Sequence, residues 1–282
     1  MKKFFLIVAS FLSLGYMVQA QDIDMLSKRG VPILPEEGDI ALGIDALPVF
    51  RYFGNMFNGT VNNNNLAWNF VGDLGATNNI YVQYYLDDKT SVRIGARFGT
   101  QNIIDQEFVM KDLAVPDPNV LVTDRWLISN TNLNLGGSYQ MHRGKGRVQG
   151  YYGAGLMFVW QQTYQSYEYG NAITTEFNDP NTTNFGFNIT GTGRVLNVTD
   201  VNRFGVVAHA FIGVEYFFAP KVSIGGEFGY GLLAVRTNGG QVTEERWTGT
   251  EIEHETTNIA NDGVLTLDTH NNGANIFLKF HF

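Results

Sequence analysis

Residues 203 to 232, RFGVVAHAFIGVEYFFAPKVSIGGEFGYGL, constrain the fold more than any other stretch of the chain. On the first arm Val206, Ala208, Ala210, Ile212, Val214 and Tyr216 share one face, while Val207, His209, Phe211, Gly213 and Glu215 share the other. A period of two is a strand. After Phe218, Ala219, Pro220 and Lys221, the return arm sets Val222, Ile224, Gly226, Phe228, Tyr230 and Leu232 against Ser223, Gly225, Glu227, Gly229 and Gly231. One face is apolar throughout, and the other is small or polar with single charges. The wet face of a soluble antiparallel sheet would carry many Lys and Glu in place of that glycine. The pattern fits a strand with lipid outside and a narrow, packed interior.

The same rhythm recurs along the chain. Ile40, Leu42 and Ile44 alternate with Ala41, Gly43 and Asp45. Ile80, Val82, Tyr84 and Leu86 lead through Asp87, Asp88 and Lys89 to Val92, Ile94, Ala96 and Phe98, whose opposite face is Ser91, Arg93, Gly95 and Arg97. Thr131 to Met141 and Val148 to Trp160 make a third hairpin around Arg143, Gly144, Lys145 and Gly146, a dense cluster of turn formers. Ala274, Ile276, Leu278, Phe280 and Phe282 close the series against Asn275, Phe277, Lys279 and His281. The count is eight strands, with three short turns alternating with four long polar loops at about 53–76, 105–122, 163–202 and 238–270. This predicts an all-β, transmembrane, up-and-down antiparallel barrel over residues 39–282, with short periplasmic turns and long extracellular loops. Strands of about 9 to 11 residues suffice to cross the hydrocarbon. Aromatic belts are expected from Phe50, Tyr52, Trp126 and Trp160 on the loop side, and from Tyr84, Tyr139, Tyr216 and Phe218 on the turn side. On this facing, Ile212→Arg is expected to be far costlier than Ser223→Ala.

Composition agrees with export to an envelope. Lys2 and Lys3 precede an apolar run from Phe4 to about Met17 and a small-residue site at Val18, Gln19 and Ala20, so residues 1–20 read as a cleaved signal peptide. Residues 21–38 read as an extended leader. Only 16% of residues are charged, against roughly 25% in a usual soluble domain. The net charge of -8 leaves no basic stripe for nucleic acid. With no cysteine, thiol catalysis and thiolate metal sites are excluded.

Several segments resemble a known family. The signal peptide, the eight alternating strands, the tight turns and the final Phe282 resemble small outer-membrane barrels of the OmpA transmembrane-domain and OmpX type. GVEYFFAPKVSIGGEFGYG, residues 213–231, and PILPEEGDIALGIDALP, residues 32–48, are similar to a hairpin and a first strand found in such barrels from Bacteroidetes. The resemblance implies residence in the outer membrane of a Gram-negative bacterium, with termini periplasmic and loops extracellular. It implies contact with outer-membrane lipid and lipopolysaccharide, and a Phe282 read by the barrel-assembly machinery. No peptidoglycan-binding domain is expected after Phe282.

An eight-stranded barrel has room only for its own side chains. The inward charges Asp45, Arg93, Arg97, His209, Glu215, Glu227 and Lys279 are therefore expected to neutralise one another across the lumen. The expected function is a structural or surface-binding accessory component of the cell envelope. The alternatives are a narrow ion or small-solute channel, and a lipid-modifying enzyme of the outer membrane. Enzymatic acyl transfer would need a nucleophile, a base and an orienting carboxylate. His142 in a turn, His209, His254, His270 and His281 offer no such spacing, so no catalytic residue, cofactor or metal is assigned. Glu251, Glu253, His254 and Glu255 read as a solvated acidic loop tip. Tyr164, Tyr167, Tyr169, Phe177, Phe185 and Phe187, set among Asn, Thr and Gly, are the candidate loop contacts for a protein partner.

Overall fold

The computed structural model describes residues 25–46, 80–144, 146–186, 188–190 and 193–282. The signal peptide, Phe50, Tyr52, the 53–76 loop, Phe187 and the Asp45 side chain lie outside the described residues. The described strands, in chain order, are β1 (Ile40–Asp45), β2 (Ile80–Asp87), β3 (Thr90–Met110), β4 (Leu121–Arg143), β5 (Val148–Glu168), β6 (Ile189–Thr190), β7 (Gly193–Ala219), β8 (Val222–Asn238), β9 (Gln241–Trp247), β10 (Ile252–Asn258) and β11 (Asp262–His281). They form one 11-stranded sheet. Within it β1, β2, β3, β4, β5, β7, β8 and β11 pair in a ring, each antiparallel to its neighbours, and β11 returns to β1. Closure leaves no edge in the ring, which is what a wall in hydrocarbon requires.

The wall has the two faces that the alternation demands. Val206, Ile212, Val214 and Tyr216 on β7 are exposed outward, as are Phe228, Tyr230 and Leu232 on β8, and Ile212 is 63% exposed. Val207, Phe211, Glu215 and Phe217 are buried inward between them. Tyr84, Tyr139, Tyr216 and Phe218 stand exposed at the turn side.

Of the expected long loops, that at 238–270 is largely strand, and strand takes up both ends of those at 105–122 and 163–202. Ring strands β3, β4 and β5 have 21, 23 and 21 residues, and β7 has 27, well beyond what a bilayer needs. At about 3.3 Å per residue, β4 is roughly 75 Å long, or roughly 50 Å of height at a ~45° tilt, against an apolar band of ~25 Å. The connection at 105–122 shrinks because β3 pairs with β4 up to Met110 and Leu121. The polar Asn, Thr and Gln residues of these segments satisfy their backbones in the sheet, and a strand in water tolerates polar side chains on both faces. The segment at 238–270 is likewise sheet. The chain kinks at Gly239 and Gly240, where Gly240 has φ +79 and a Cβ would meet the Thr199 carbonyl oxygen. β9 then continues upward beside the first residues of β7, and β10 returns to lead into β11.

Candidate functional site

The inward glycines are seats for rings. Gly43 faces Tyr81 across the β1–β2 pair, Gly213 faces Tyr151 and Gly153 faces Phe211 across β5–β7, and Gly225 faces Phe277 across β8–β11. A Cβ at Gly43 or Gly213 would lie 2.2 Å from the opposing tyrosine ring, and at Gly225 2.3 Å from Phe277. The four rings therefore lie flat over glycine and meet in one buried cluster, with Tyr151 6.2 Å from Phe211 and 6.2 Å from Phe277 between centroids.

Two ion pairs thread this cluster. Arg93 donates from Nη1 and Nη2 to the two Glu227 oxygens at 2.8 and 3.0 Å, and from Nε to Ser138 Oγ at 3.3 Å. The Tyr151 hydroxyl donates to Glu227 Oε2 at 3.0 Å. The guanidinium lies 4.7 Å from the Phe211 centroid and 5.0 Å from that of Tyr81. Lys279 Nζ donates to Glu215 Oε2 at 3.0 Å and lies 4.5 Å from the Phe277 centroid. The Ser223 hydroxyl donates to the other Glu215 oxygen. Lys279 and Glu215 are both 0% exposed. Two cations meet two anions, with further hydrogen bonds to Arg93, Glu227 and Glu215 and aromatic rings around Lys279, which is the condition under which burying charge is tolerable. Ser223 is thus part of the network, so Ser223→Ala, expected to cost less than Ile212→Arg, still strips a donor from a buried carboxylate.

Below this layer sits a base of histidines. His142 lies at the end of β4 and is buried, not in an exposed turn. Its Nε2 is 2.8 Å from Ser91 Oγ, which also accepts from Gln83 Nε2 at 2.9 Å. The Tyr85 ring packs between His142 and His281, and its hydroxyl is 3.2 Å from His281 Nε2. The leader covers this end. Ile33 is buried, its carbonyl accepts from the Lys221 backbone N–H at 3.2 Å, and the Lys221 ammonium pairs with Asp39. Phe282 is 76% exposed, and its backbone pairs in both directions with Ile40.

Above the ring cluster the interior also holds an apolar patch beside the buried Asn132 and Asn134. Met157, Val159 and Val207 are buried together with Leu233 against them. Of the remaining expected lumen residues, His209 stacks on Phe211 at 5.6 Å and Arg97 faces inward opposite Asn134. Tyr81, Gln83 and Tyr85 belong to the site though their strand was read only for its outward face; their phase, one residue off Ile80, Val82 and Tyr84, was the available signal.

The expected recognition loop folds inward as a plug. Asp124 is 0% exposed and accepts from the backbone N–H groups of Gly170 at 2.8 Å and Thr183 at 2.7 Å. Asn171 bonds to the Met110 and Asn181 carbonyls, and Asn188 bonds to the Thr183 carbonyl and to the Tyr169 hydroxyl. Arg194 joins the plug to β9, reaching Glu245 at 2.7 Å, the Asn171 carbonyl at 2.8 Å and the Tyr169 ring at 4.1 Å. Trp126, Tyr167 and Phe185 pack together inside it, with Trp126 stacked on Tyr167 at 5.7 Å. Trp126 is therefore interior packing and not part of a lipid belt, because its even-numbered phase on β4 is that of buried Asp124 and Asn132. Of the described candidate loop contacts, Tyr167 is buried, Tyr169, Phe177 and Phe185 are half-buried, and Tyr164 is exposed on the outer wall. Burial pushes the Tyr169 phenol up to about 12. The acidic cluster Glu251, Glu253, His254 and Glu255 lies on and beside β10, where Arg246 of β9 pairs with Glu253 at 2.9 Å and Glu255 at 3.1 Å. The cluster is exposed, as a solvated tip would be, and is organised by this cross-strand pairing.

No family model and no curated protein matches the chain. Among solved structures, the outer membrane protein OprG from Pseudomonas aeruginosa is similar over 89% of this chain and 98% of its own, at 10% identity and a TM-score of 0.34. At that score the likeness decides nothing, and the reading below rests on the strand pairing and on the two faces of the wall.

Proposed function

We propose that the chain is an integral outer-membrane protein, an eight-stranded up-and-down barrel with a side-chain-filled lumen that serves as a structural or surface component of the envelope. One observation carries the reading. Among the described residues the ring exposes an apolar face outward while it buries Lys279, Glu215 and Glu227 inward, an inversion that suits lipid outside and not water. The short turns and the leader would then face the periplasm, and the tall strand extension with its plug would face the outside. The ion pairs and rings fill the cross-section, which supports a closed lumen over a channel.

Refolding into liposomes followed by planar-bilayer recording tests this. A heat-modifiable, protease-protected band with no steady conductance steps is the expected result. Stable unitary steps from the unmodified protein would overturn the closed lumen, and failure to insert would overturn the barrel.

A further inference from the structure

One row of inward side chains crosses the lumen just above the apolar patch. Asn132 of β4 pairs with Gln161 of β5, Gln161 with Arg203 of β7, and Arg203 with Thr237 of β8. All four point inward, because they share the strand phase of the buried Asn134, Val159, Val207 and Val235. Asn132 is 7% exposed and Gln161 9%, yet neither Asn132 Oδ1 nor Gln161 Oε1 accepts a hydrogen bond among the described residues. A buried acceptor in that state is costly, so a donor from outside the chain is the natural partner. Arg203, next along the row, belongs to no ion pair among the described residues. The nearest carboxylate in the row, Asp262, sits two strands beyond it, opposite Thr237.

These groups line a vestibule. Arg203 faces inward and is still exposed, as is Gln101 of β3, which is in phase with the Gly99 that pairs with Asn132. Solvent therefore reaches the lumen at this level, while the ring cluster closes it below. The floor is Met157, Val159, Val207 and Leu233, and the roof is Trp126 stacked on Tyr167. From Asn132 up to Ile128 the wall runs roughly 13 Å along β4, room for a single sugar ring. A guanidinium suits a carboxylate, and side-chain carbonyls need O–H or N–H donors. The two acceptors are uncharged amides, which match neutral hydroxyls, whereas a buried ammonium would call for a carboxylate.

We propose that this vestibule binds a sugar acid, with its carboxylate on Arg203 and its hydroxyls donating to the side-chain carbonyls of Asn132 and Gln161. The inference goes beyond the closed barrel proposed above and rests on it only for the direction in which the vestibule opens.

The test is calorimetric titration of the detergent-purified full chain with D-glucuronate, D-glucose and acetate, for the unmodified protein, Arg203→Gln and Gln161→Leu. Glucuronate should bind the unmodified protein at least about tenfold more tightly than glucose or acetate, each of which keeps only part of the recognition. Arg203→Gln should lose about tenfold toward glucuronate and little toward glucose, while Gln161→Leu should weaken both sugars. Glucuronate bound no better than glucose, or equally well by Arg203→Gln, would overturn the site. So would an unmodified protein that binds none of the three, with Asn132 and Gln161 satisfied by water only. A protein that binds glucuronate but shows stable conductance steps would keep the site and overturn the closed lumen. One that inserts without steps and binds nothing would keep the closed barrel and overturn the site.

Discussion

Glu215 and Lys279 share a hydrogen bond where neither touches solvent, so each is tolerable only while the other is present. Glu215→Gln strands an ammonium among aromatic rings and should cost about 3 to 5 kcal/mol in refolding equilibria, whereas the double variant Glu215→Gln with Lys279→Met should recover much of that loss. If the double variant is as damaged as the single one, the pair is not the unit of stability described. Tyr169 gives a pH signature at the same scale. Its folded pKa, about 12, lies above the ordinary phenol value of about 10, so its contribution is complete below about pH 10 and is lost as pH rises through about 12. Absorbance at tyrosinate wavelengths should show a late-titrating phenol that Tyr169→Phe removes. The inward charges Arg93, Glu227, Glu215 and Lys279 were legible in the sequence because lone charges stood in phase with glycines. Their pairing was not, because which of two cations meets which of two anions depends on stagger around the ring, and alternation along one strand carries no stagger. The ring seats are a similar case: Gly43 and Tyr81 lie far apart in sequence and become partners only once β1 and β2 are in register.

At the scale of the element, phase was legible and length was not. The outward set on β7, from Val206 to Tyr216, was readable residue by residue, because apolar side chains at period two have one physical explanation. The ends of β3, β4, β5 and β7 were misread as loop. Polar residues such as Asn130, Thr163 and Gln165 are equally at home in a loop and in a strand with water outside, so composition lost its discriminating power where the apolar outer band stopped. The same ambiguity hid the plug, whose Asn171, Asn181 and Asn188 serve as internal hydrogen-bonding groups. Facing remains directly measurable. Ile212→Arg, within the apolar band, should cost about 2 to 4 kcal/mol in bilayers, and Leu86→Arg, beside the turn at Asp87, about 0 to 1 kcal/mol. Equal penalties at the two positions would contradict the depth assigned to β7.

At the scale of the whole molecule, the longest pairings make the firmest part of the wall. Among the described residues, β4 and β5 share 19 paired positions, from Arg125 with Glu168 to Arg143 with Gly150. Amide exchange should accordingly be slow throughout the middle of β4 and β5, and rapid exchange there would contradict the pairing. The leader braces the turn end of the wall through the Lys221 pair with Glu36 and the Gly38 backbone N–H to the Tyr85 carbonyl. Because Ile40 and Phe282 exchange backbone hydrogen bonds at 3.1 and 2.8 Å, the first and last residues of the wall are neighbours like any other pair within it. The finished cylinder has no beginning. A polypeptide spliced through that junction by a short linker and reopened at Gly249, on the tip between β9 and β10, would describe the same surface with a different starting point, so strand order governs how the wall is laid down and not what it is once closed.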